Sequence, residues 1–179
     1  IFYKFINEIV KKILKKYYDQ IPVPIIQIAN DLGINVYNAE FDSDRISGSI
    51  LKENGDFSIY VNKNEPSYRK RFTIAHELGH FIENKDILEK QGEHYDYKAS
   101  KLNNSKVLFR FNSNVVLPSK EERLREIKAN KFAANILMPE DNFFEAWKKH
   151  SSMQDIANEF DVSILAASIR AEKLGLSLT

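Results

Sequence analysis

The chain has 179 residues, of which 43% are hydrophobic and 28% charged, and its formal net charge is +1. This composition excludes disordered and collagen-like classes, and the near-zero charge gives no general reason to expect a nucleic-acid partner. There is no cysteine, so disulfides, thiol nucleophiles and cysteine-bound zinc are excluded, and any metal must be held by histidines and carboxylates. We expect a globular protein of the cytoplasm, since no apolar run approaches the length of a membrane span.

Two helices followed by a small sheet are predicted in the first third of the chain. Residues 1–19 carry apolar side chains at helical spacing with lysines on the other side, which predicts an amphipathic helix packed on its own domain. A second short helix is expected between Pro24 and Gly33. Alternation of period two then predicts about three strands of a small antiparallel-type sheet, in residues 34–41, 46–53 and 57–62. The strands within 51–62 are a hypothetical edge for an extended peptide.

Helices dominate the rest of the sequence. A helix is predicted from Pro66 to about Asn84, then a loop over residues 85–105 and a short strand over residues 106–111. The capping-box pair Ser119 and Glu122 predicts the start of another helix, which ends near Met138. Three shorter helices are expected to follow, over residues 140–150, 152–160 and 163–174.

The sharpest motif is His76-Glu77-Leu78-Gly79-His80, an H-E-x-x-H inside a predicted helix. Residues four apart lie on one helical face, so both imidazoles can bind one Zn²⁺ ion while Glu77 lies within reach of a water that the ion activates. The alternative is a coincidental pair of helical histidines. We predict one Zn²⁺ per chain with Glu77 as the catalytic base, although Mn²⁺ or Fe²⁺ also suits such a donor set.

Two histidines need a third ligand from elsewhere in the fold. The extended metzincin motif is excluded, because Glu83 and Asp86 stand where that motif requires Gly and His. A glutamate from a second helix is the remaining common solution, and Glu126 lies on a helical face rich in alanine that can approach another helix closely. Glu122 and His94 are rivals, and spacing alone leaves the choice open.

Supporting residues are less clearly marked. Asn130 lies one turn after Glu126 and is predicted to orient a metal-binding side chain from outside the site. His150 is interpreted as a surface histidine. No substrate-binding residue is identified, and the donor that stabilises an oxyanion is open among four candidates by residue type: Tyr68, Arg69, Tyr97 and Arg110.

The sequence of the last two predicted helices resembles a helix-turn-helix motif, with Arg170 and Lys173 in the second helix. That helix carries few side chains that read bases, so we do not expect direct DNA binding. We expect these helices to pack on the rest of the protein or to dock a protein substrate.

The segments Arg71–Asn84 and Glu126–Pro139 resemble the ImmA/IrrE family of zinc metallopeptidases, and the similarity extends over roughly residues 20–179. The resemblance implies a minimal zincin-like α+β fold, in which residues 1–139 form the catalytic domain and residues 140–179 a C-terminal helical subdomain packed on it. It also implies that His76, His80 and Glu126 are the zinc ligands and that Glu77 is the catalytic glutamate.

Members of that family commonly cleave a helix-turn-helix repressor in bacteria, phages and mobile elements. The resemblance therefore implies a site-specific endopeptidase whose partner is such a repressor and which releases stress, phage or mobile-element genes. One alternative is a noncatalytic regulator that binds a repressor or DNA and uses zinc for structure. A peptidase toxin or a degradative enzyme is a third possibility.

Overall fold

The computed structural model describes residues 8–41, 46–53, 55–90, 101–102, 105–109 and 120–176. Within these residues the fold is α+β and mostly helical, as predicted, with seven helices and five strands. The helices are α1 (Glu8–Tyr17), α2 (Ile25–Asp31), α3 (Ser67–Lys90), α4 (Lys120–Leu137), α5 (Glu140–Lys149), α6 (Met153–Phe160) and α7 (Ile164–Lys173). The strands are β1 (Ile34–Ala39), β2 (Gly48–Glu53), β3 (Asp56–Asn62), β4 (Lys101–Leu102) and β5 (Ser105–Phe109).

The sheet is mixed, with strand order β1-β3-β2-β5-β4. The hairpin of β2 and β3 is antiparallel as predicted, but the expectation for β1 is wrong because β1 pairs with β3 in parallel. Ala39 at the end of β1 is paired with Asn62, and Gly48 at the start of β2 is paired with Val61. The chain therefore leaves β1 and enters β2 at the same end of the sheet, which makes these two strands antiparallel to each other on opposite sides of β3.

Three further expectations need correction. Neither β2 nor β3 is an edge strand, because β3 lies between β1 and β2, and Ser49–Leu51 of β2 pair with β5. Helix α3 continues to Lys90 instead of ending near Asn84, since residues 85–90 contain helix formers and no glycine or proline. The predicted loop over residues 85–105 also contains β4, which pairs with β5, while residues 91–100 lie outside the described part of the chain.

The core lies between the inner face of the sheet and the helices. Ile50, Ile59 and Val61 point from β2 and β3 toward Ile74 and Leu78 of α3, and all five side chains are buried in one apolar cluster. This arrangement follows from the period of two in the strands and of 3.6 in the helix. It fixes one side of α3 against the sheet.

The C-terminal helices agree with the sequence prediction to within a residue or two at each end. Ser152 and Ser163 cap α6 and α7 by accepting hydrogen bonds from the backbone N–H groups of Asp155 and Ala166. Ser119 of the predicted capping box at the start of α4 lies outside the described residues, and so does the side chain of Glu122. The division of the chain after residue 139 stays a prediction. Among the helices that the structure describes, none combines the length and the apolar character needed to cross a membrane.

Candidate metal centre between two helices

Helix α3 carries the two histidines of the H-E-x-x-H motif on one face. The imidazoles of His76 and His80 have ring centroids 4.6 Å apart, and their Nε2 atoms are separated by 2.9 Å. The His76 side chain is fully buried, whereas that of His80 is 22% exposed. The pair therefore forms the wall of a site that opens to solvent on the His80 side.

Helix α4 brings Glu126 to the same point. Its two carboxylate oxygens lie 3.4 Å from Nε2 of His76 and 3.0 Å from Nε2 of His80. The side chain is 41% exposed, so the carboxylate reaches the histidines from the open side. The structure thus brings together the three residues that the sequence analysis named as metal ligands.

The two alternative candidates for the third metal ligand, His94 and Glu122, have no described side-chain position. His94 lies outside the described residues, and so does the side chain of Glu122. His150, interpreted as a surface histidine, is 21% exposed and pairs with Glu159 near the end of α6.

Close contact between α3 and α4 allows this meeting of side chains. A Cβ atom added to Gly79 would lie 3.0 Å from the Cα atom of Ala129 and 3.2 Å from Cβ of Phe132. The helices therefore cross where α3 has no side chain, one residue before His80. The alanine-rich face of α4 was expected from the sequence, but its glycine counterpart on α3 was not, although a glycine inside a predicted helix is a usable signal.

The sheet also approaches α3 at a glycine, close to the histidines. A Cβ atom at Gly48 would lie 2.5 Å from Cγ2 of Thr73, which is on α3 one turn before His76. The same Cβ atom would lie 2.5 Å from the backbone oxygen of Tyr60, which cannot move aside as a side chain can, so this first position of β2 requires glycine. The start of β2 is therefore held directly against the helix that carries the motif.

Asn130 contacts His76 from the side opposite the candidate metal position. Its Oδ1 atom lies 2.9 Å from Nδ1 of His76. A carbonyl oxygen only accepts hydrogen bonds, so Nδ1 carries a proton and Nε2 is the ring nitrogen that would be available to a metal ion. Contacts of this kind orient histidines in metal sites.

The electrostatics of the three-residue group favour positive charge at its centre. Burial raises the pKa of the Glu126 carboxyl, but hydrogen bonds to His76 and His80 outweigh burial and hold this pKa well below its usual range. Glu126 is therefore a carboxylate at neutral pH. Protons on the imidazoles or a cation between the same atoms stabilise it alike, because either places positive charge beside its oxygens.

Glu77 is buried within α3, whereas the two described candidates for oxyanion donor lie on the first turn of that helix. Glu77 follows His76 in α3, and its side chain is only 4% exposed. Arg69 lies 3.9 Å from Glu65 and donates to Ser47 Oγ at 3.5 Å, so it ties the start of α3 to the segment before β2. Tyr68 is 41% exposed on the first turn of α3. Tyr97 and Arg110 lie outside the described residues.

The donor set fits a tetrahedral zinc ion. Zinc binds imidazole nitrogen and carboxylate oxygen at about 2.0–2.1 Å, which places neighbouring ligand atoms of a tetrahedron about 3.3 Å apart. The three separations measured here are 2.9, 3.0 and 3.4 Å. His76, His80 and Glu126 could therefore hold a metal ion with only small side-chain movements.

A zincin-like pair of helices, with two histidines of one facing a glutamate of the other, is typical of metallopeptidases. The chain belongs to the Peptidase M78 family, described as the IrrE N-terminal-like domain, whose model matches residues 29–125 and 117–172. This match confirms the resemblance seen in the sequence and identifies a metallopeptidase-like domain. A search of curated proteins finds no match.

A solved structure, a Mycobacterium tuberculosis transcriptional regulator, is similar to the chain with a TM-score of 0.59 and 15% sequence identity. The similarity covers 96% of this chain and 49% of the regulator, so the chain spans about half the length of that protein. At this level of identity the likeness establishes the fold alone.

Proposed function

We propose that this protein is a zinc-dependent, site-specific endopeptidase. The observation that carries the proposal is the meeting of His76, His80 and Glu126 at one point, with the buried Glu77 next to His76 in the sequence of α3. A structural zinc site usually has four protein ligands, whereas three ligands leave one position for a reactant. The group that meets within the described residues has three members, which favours a catalytic site over a structural one.

The chemistry divides between an ion and the protein. A zinc ion held by the three side chains would supply Lewis-acid chemistry, which polarises a peptide carbonyl and lowers the pKa of water. Glu77 accepts the proton of the attacking water and passes it to the leaving amine. Asn130 holds the His76 ring in the orientation that directs Nε2 into the site.

The substrate that we propose is a helix-turn-helix transcriptional repressor, whose cleavage in the cytoplasm would release stress, phage or mobile-element genes. The resemblance to the ImmA/IrrE family supports this substrate class, and a protein named as a transcriptional regulator shares the fold. We do not propose direct DNA binding. Arg170 is 9% exposed and donates hydrogen bonds to Asn135 of α4 and to Met138 just after that helix, so it does not face a phosphate backbone.

The test is cleavage of purified candidate repressors by the zinc-loaded protein. Glu77→Gln removes the proton acceptor but keeps the size of the side chain, so we expect at least a hundredfold loss of cleavage with zinc binding retained. Glu172→Gln makes the same chemical change at an exposed position of α7 and serves as the control, with unchanged cleavage expected.

Cleavage by Glu77→Gln at the wild-type rate would remove Glu77 from the mechanism. Binding of a repressor or its operator DNA by the zinc-loaded protein, with no cleavage of any repressor, would favour the noncatalytic regulator instead.

A further inference from the structure

The turn between α6 and α7 is attached to helix α3. Asp161 accepts a hydrogen bond of 2.6 Å from Ser67 Oγ, and its carboxylate lies 3.5 Å from Nε of Arg71. Nε of Arg71 also donates to the backbone oxygen of Asp161 at 3.3 Å. Asp161 has a φ of 49°, a left-handed conformation that aspartate adopts more readily than most residues. Side-chain and backbone contacts therefore fix this turn on the first turns of α3.

Arg71 is itself anchored at a third point. Its Nη2 atom donates to the backbone oxygen of Val23, in the segment that leads into α2, at 2.8 Å. Burial lowers the pKa of Arg71, and the charge of Asp161 opposes that shift. Removing Asp161 would leave a largely buried guanidinium without its carboxylate, which is unfavourable.

The helix after the turn is attached to α4. Arg170 of α7 donates from Nη1 to Oδ1 of Asn135 at 2.7 Å and from Nε to the backbone oxygen of Met138 at 3.1 Å. The carbonyl of Met138 lies just after the last residue of α4, where a helix leaves backbone oxygens without partners inside the helix. Arg170 therefore fixes the C-terminal end of the helix that carries Glu126.

The pair α6–α7 consequently holds both helices of the candidate metal site. The histidines belong to α3 and the glutamate to α4, and the two helices touch where Gly79 meets Ala129. A change of a few tenths of an ångström between these helices would alter all histidine–glutamate distances together. Metal sites are sensitive to such changes because the ligand distances are set by the ion.

We propose that Asp161 and Arg170 are positioning residues, through which the helix pair α6–α7 sets the separation of α3 and α4 and so controls metal affinity. This inference rests on the metal site of the proposed function. It gives the helix-turn-helix-like pair a role other than reading DNA, which is to hold the two ligand-bearing helices at a fixed separation. We call the contacts of Asp161 with α3 and of Arg170 with the end of α4 the brace. A partner protein that binds α6–α7 would then change the metal affinity of the site without contacting its ligands.

Thermodynamic linkage supplies a readout that an ordinary structural contact would not change. If the docking of α6–α7 on α3 and α4 strengthens metal binding, then metal binding must stabilise that docking by the same free energy. Addition of Zn²⁺ alone should therefore slow the amide hydrogen exchange that occurs through local opening of α6 and α7, although neither helix supplies a ligand. If these helices only stabilise the fold, zinc should slow their exchange through global unfolding and leave their local opening unchanged.

The experiment measures Zn²⁺ affinity by competition with a chromophoric chelator, together with hydrogen exchange, on the full chain. Asp161→Gly removes the side chain without backbone strain at a positive φ, and Arg170→Met removes the donors but keeps most of the side-chain length. We expect each variant to weaken Zn²⁺ binding at least tenfold and to abolish the effect of zinc on the local opening of α6 and α7.

Two kinds of control separate positioning from stability. Lys173→Ala changes an exposed residue of α7, and Ile34→Val destabilises the core from the edge strand β1. Both should bind Zn²⁺ like the wild type. If a brace variant does not fold, Asp161→Asn and Arg170→Lys replace it, with a smaller loss in the same direction expected.

The outcomes distinguish the two proposals. Failure of the wild type to bind Zn²⁺ any better than Glu126→Ala would overturn the metal site and the brace with it. Tight binding by the wild type together with affinities within twofold in all folded brace variants would overturn the brace alone.

Discussion

Asn130 on α4 and His76 on α3 are joined by a contact of 2.9 Å between Oδ1 and Nδ1 across the helix interface. This contact determines which nitrogen of a fully buried imidazole carries the proton. It also connects the two helices directly at the candidate metal site, so the same amide orients a ligand and joins its helix to that of Glu126.

Replacing Asn130 by Ala should weaken Zn²⁺ binding by about 10–100-fold, because loss of such an outer contact frees the ring of the ligating histidine. The measurement is Zn²⁺ competition on the folded variant. Asn38→Ala, at an exposed position of β1, is the matched control and should leave the affinity unchanged. Wild-type affinity in Asn130→Ala would mean that packing alone orients His76.

Replacing Glu126 by Ala should reduce bound zinc from near one ion per chain to well below it, since two histidines alone make a weak site. Elemental analysis of the purified proteins measures this stoichiometry. Glu121→Ala removes an exposed carboxylate from the same helix and should retain the ion. Full zinc content in Glu126→Ala would transfer the role of third ligand to another residue, of which Glu122 and His94 are the first to test.

Removal of the metal by a chelator should lower the thermal midpoint of the wild type. An ion that binds only the folded state stabilises it by about 4 kcal/mol at a concentration 1,000 times its dissociation constant. Thermal unfolding followed by circular dichroism, with and without added Zn²⁺, measures the shift. His80→Ala should show little of it, and an equal shift in this variant would indicate that zinc stabilises the protein elsewhere.

Gly79→Ala should destabilise the protein by about 1–3 kcal/mol, the usual cost of overpacking, because the new methyl group would meet backbone atoms of Ala129 that cannot turn aside. Urea unfolding measures the free energy. At an ordinary helical position alanine is the more stable residue, so Ser168→Ala on the exposed side of α7 should be neutral or slightly stabilising. Unchanged stability of Gly79→Ala would show that α3 and α4 separate without cost.

Asp31 should give α1 a pH-dependent attachment to α2. Its carboxylate accepts hydrogen bonds from Lys16, Tyr17 and Gln27, of which that from Lys16 lowers the pKa of Asp31 most. Because this pKa is lower in the folded state, the stabilisation is present above the unfolded pKa of about 3.9 and is lost as the pH falls through the folded value.

Asp31→Asn should therefore lower the free energy of unfolding at pH 7. The difference from the wild type should disappear at a pH below the folded-state pKa of Asp31, where the wild-type carboxyl group is also neutral. Urea unfolding of the wild type and the variant, at pH 7 and in acid, measures this difference in free energy. Added salt should reduce the difference at pH 7 because it screens the interaction between Lys16 and Asp31. A deficit that persists unchanged in acid would assign the effect to geometry and not to charge.

Much of the fold could be predicted because its signals are local. The helix that carries the motif, the hairpin of β2 and β3 and the three C-terminal helices follow from side-chain periodicity and from capping residues close by in the chain. The errors arose where pairing is not local. The direction of β1 and the placement of β5 beside β2 depend on strands that are distant in sequence, and no periodicity encodes which strand is the neighbour.

For the candidate site, the sequence alone was enough to predict that His76 and His80 share one helical face and that Glu77 adjoins His76, because a helix places residues four apart together whatever surrounds it. Two other features are visible only in the folded chain: Glu126 reaches these histidines, and Asn130 contacts His76. Both depend on how closely two helices approach, and Gly79 permits that close approach by leaving room for Ala129, a residue far away in the chain. Arg170 likewise reads as a basic residue of a helix-turn-helix in the sequence, and its buried contacts with α4 exist only in the folded chain.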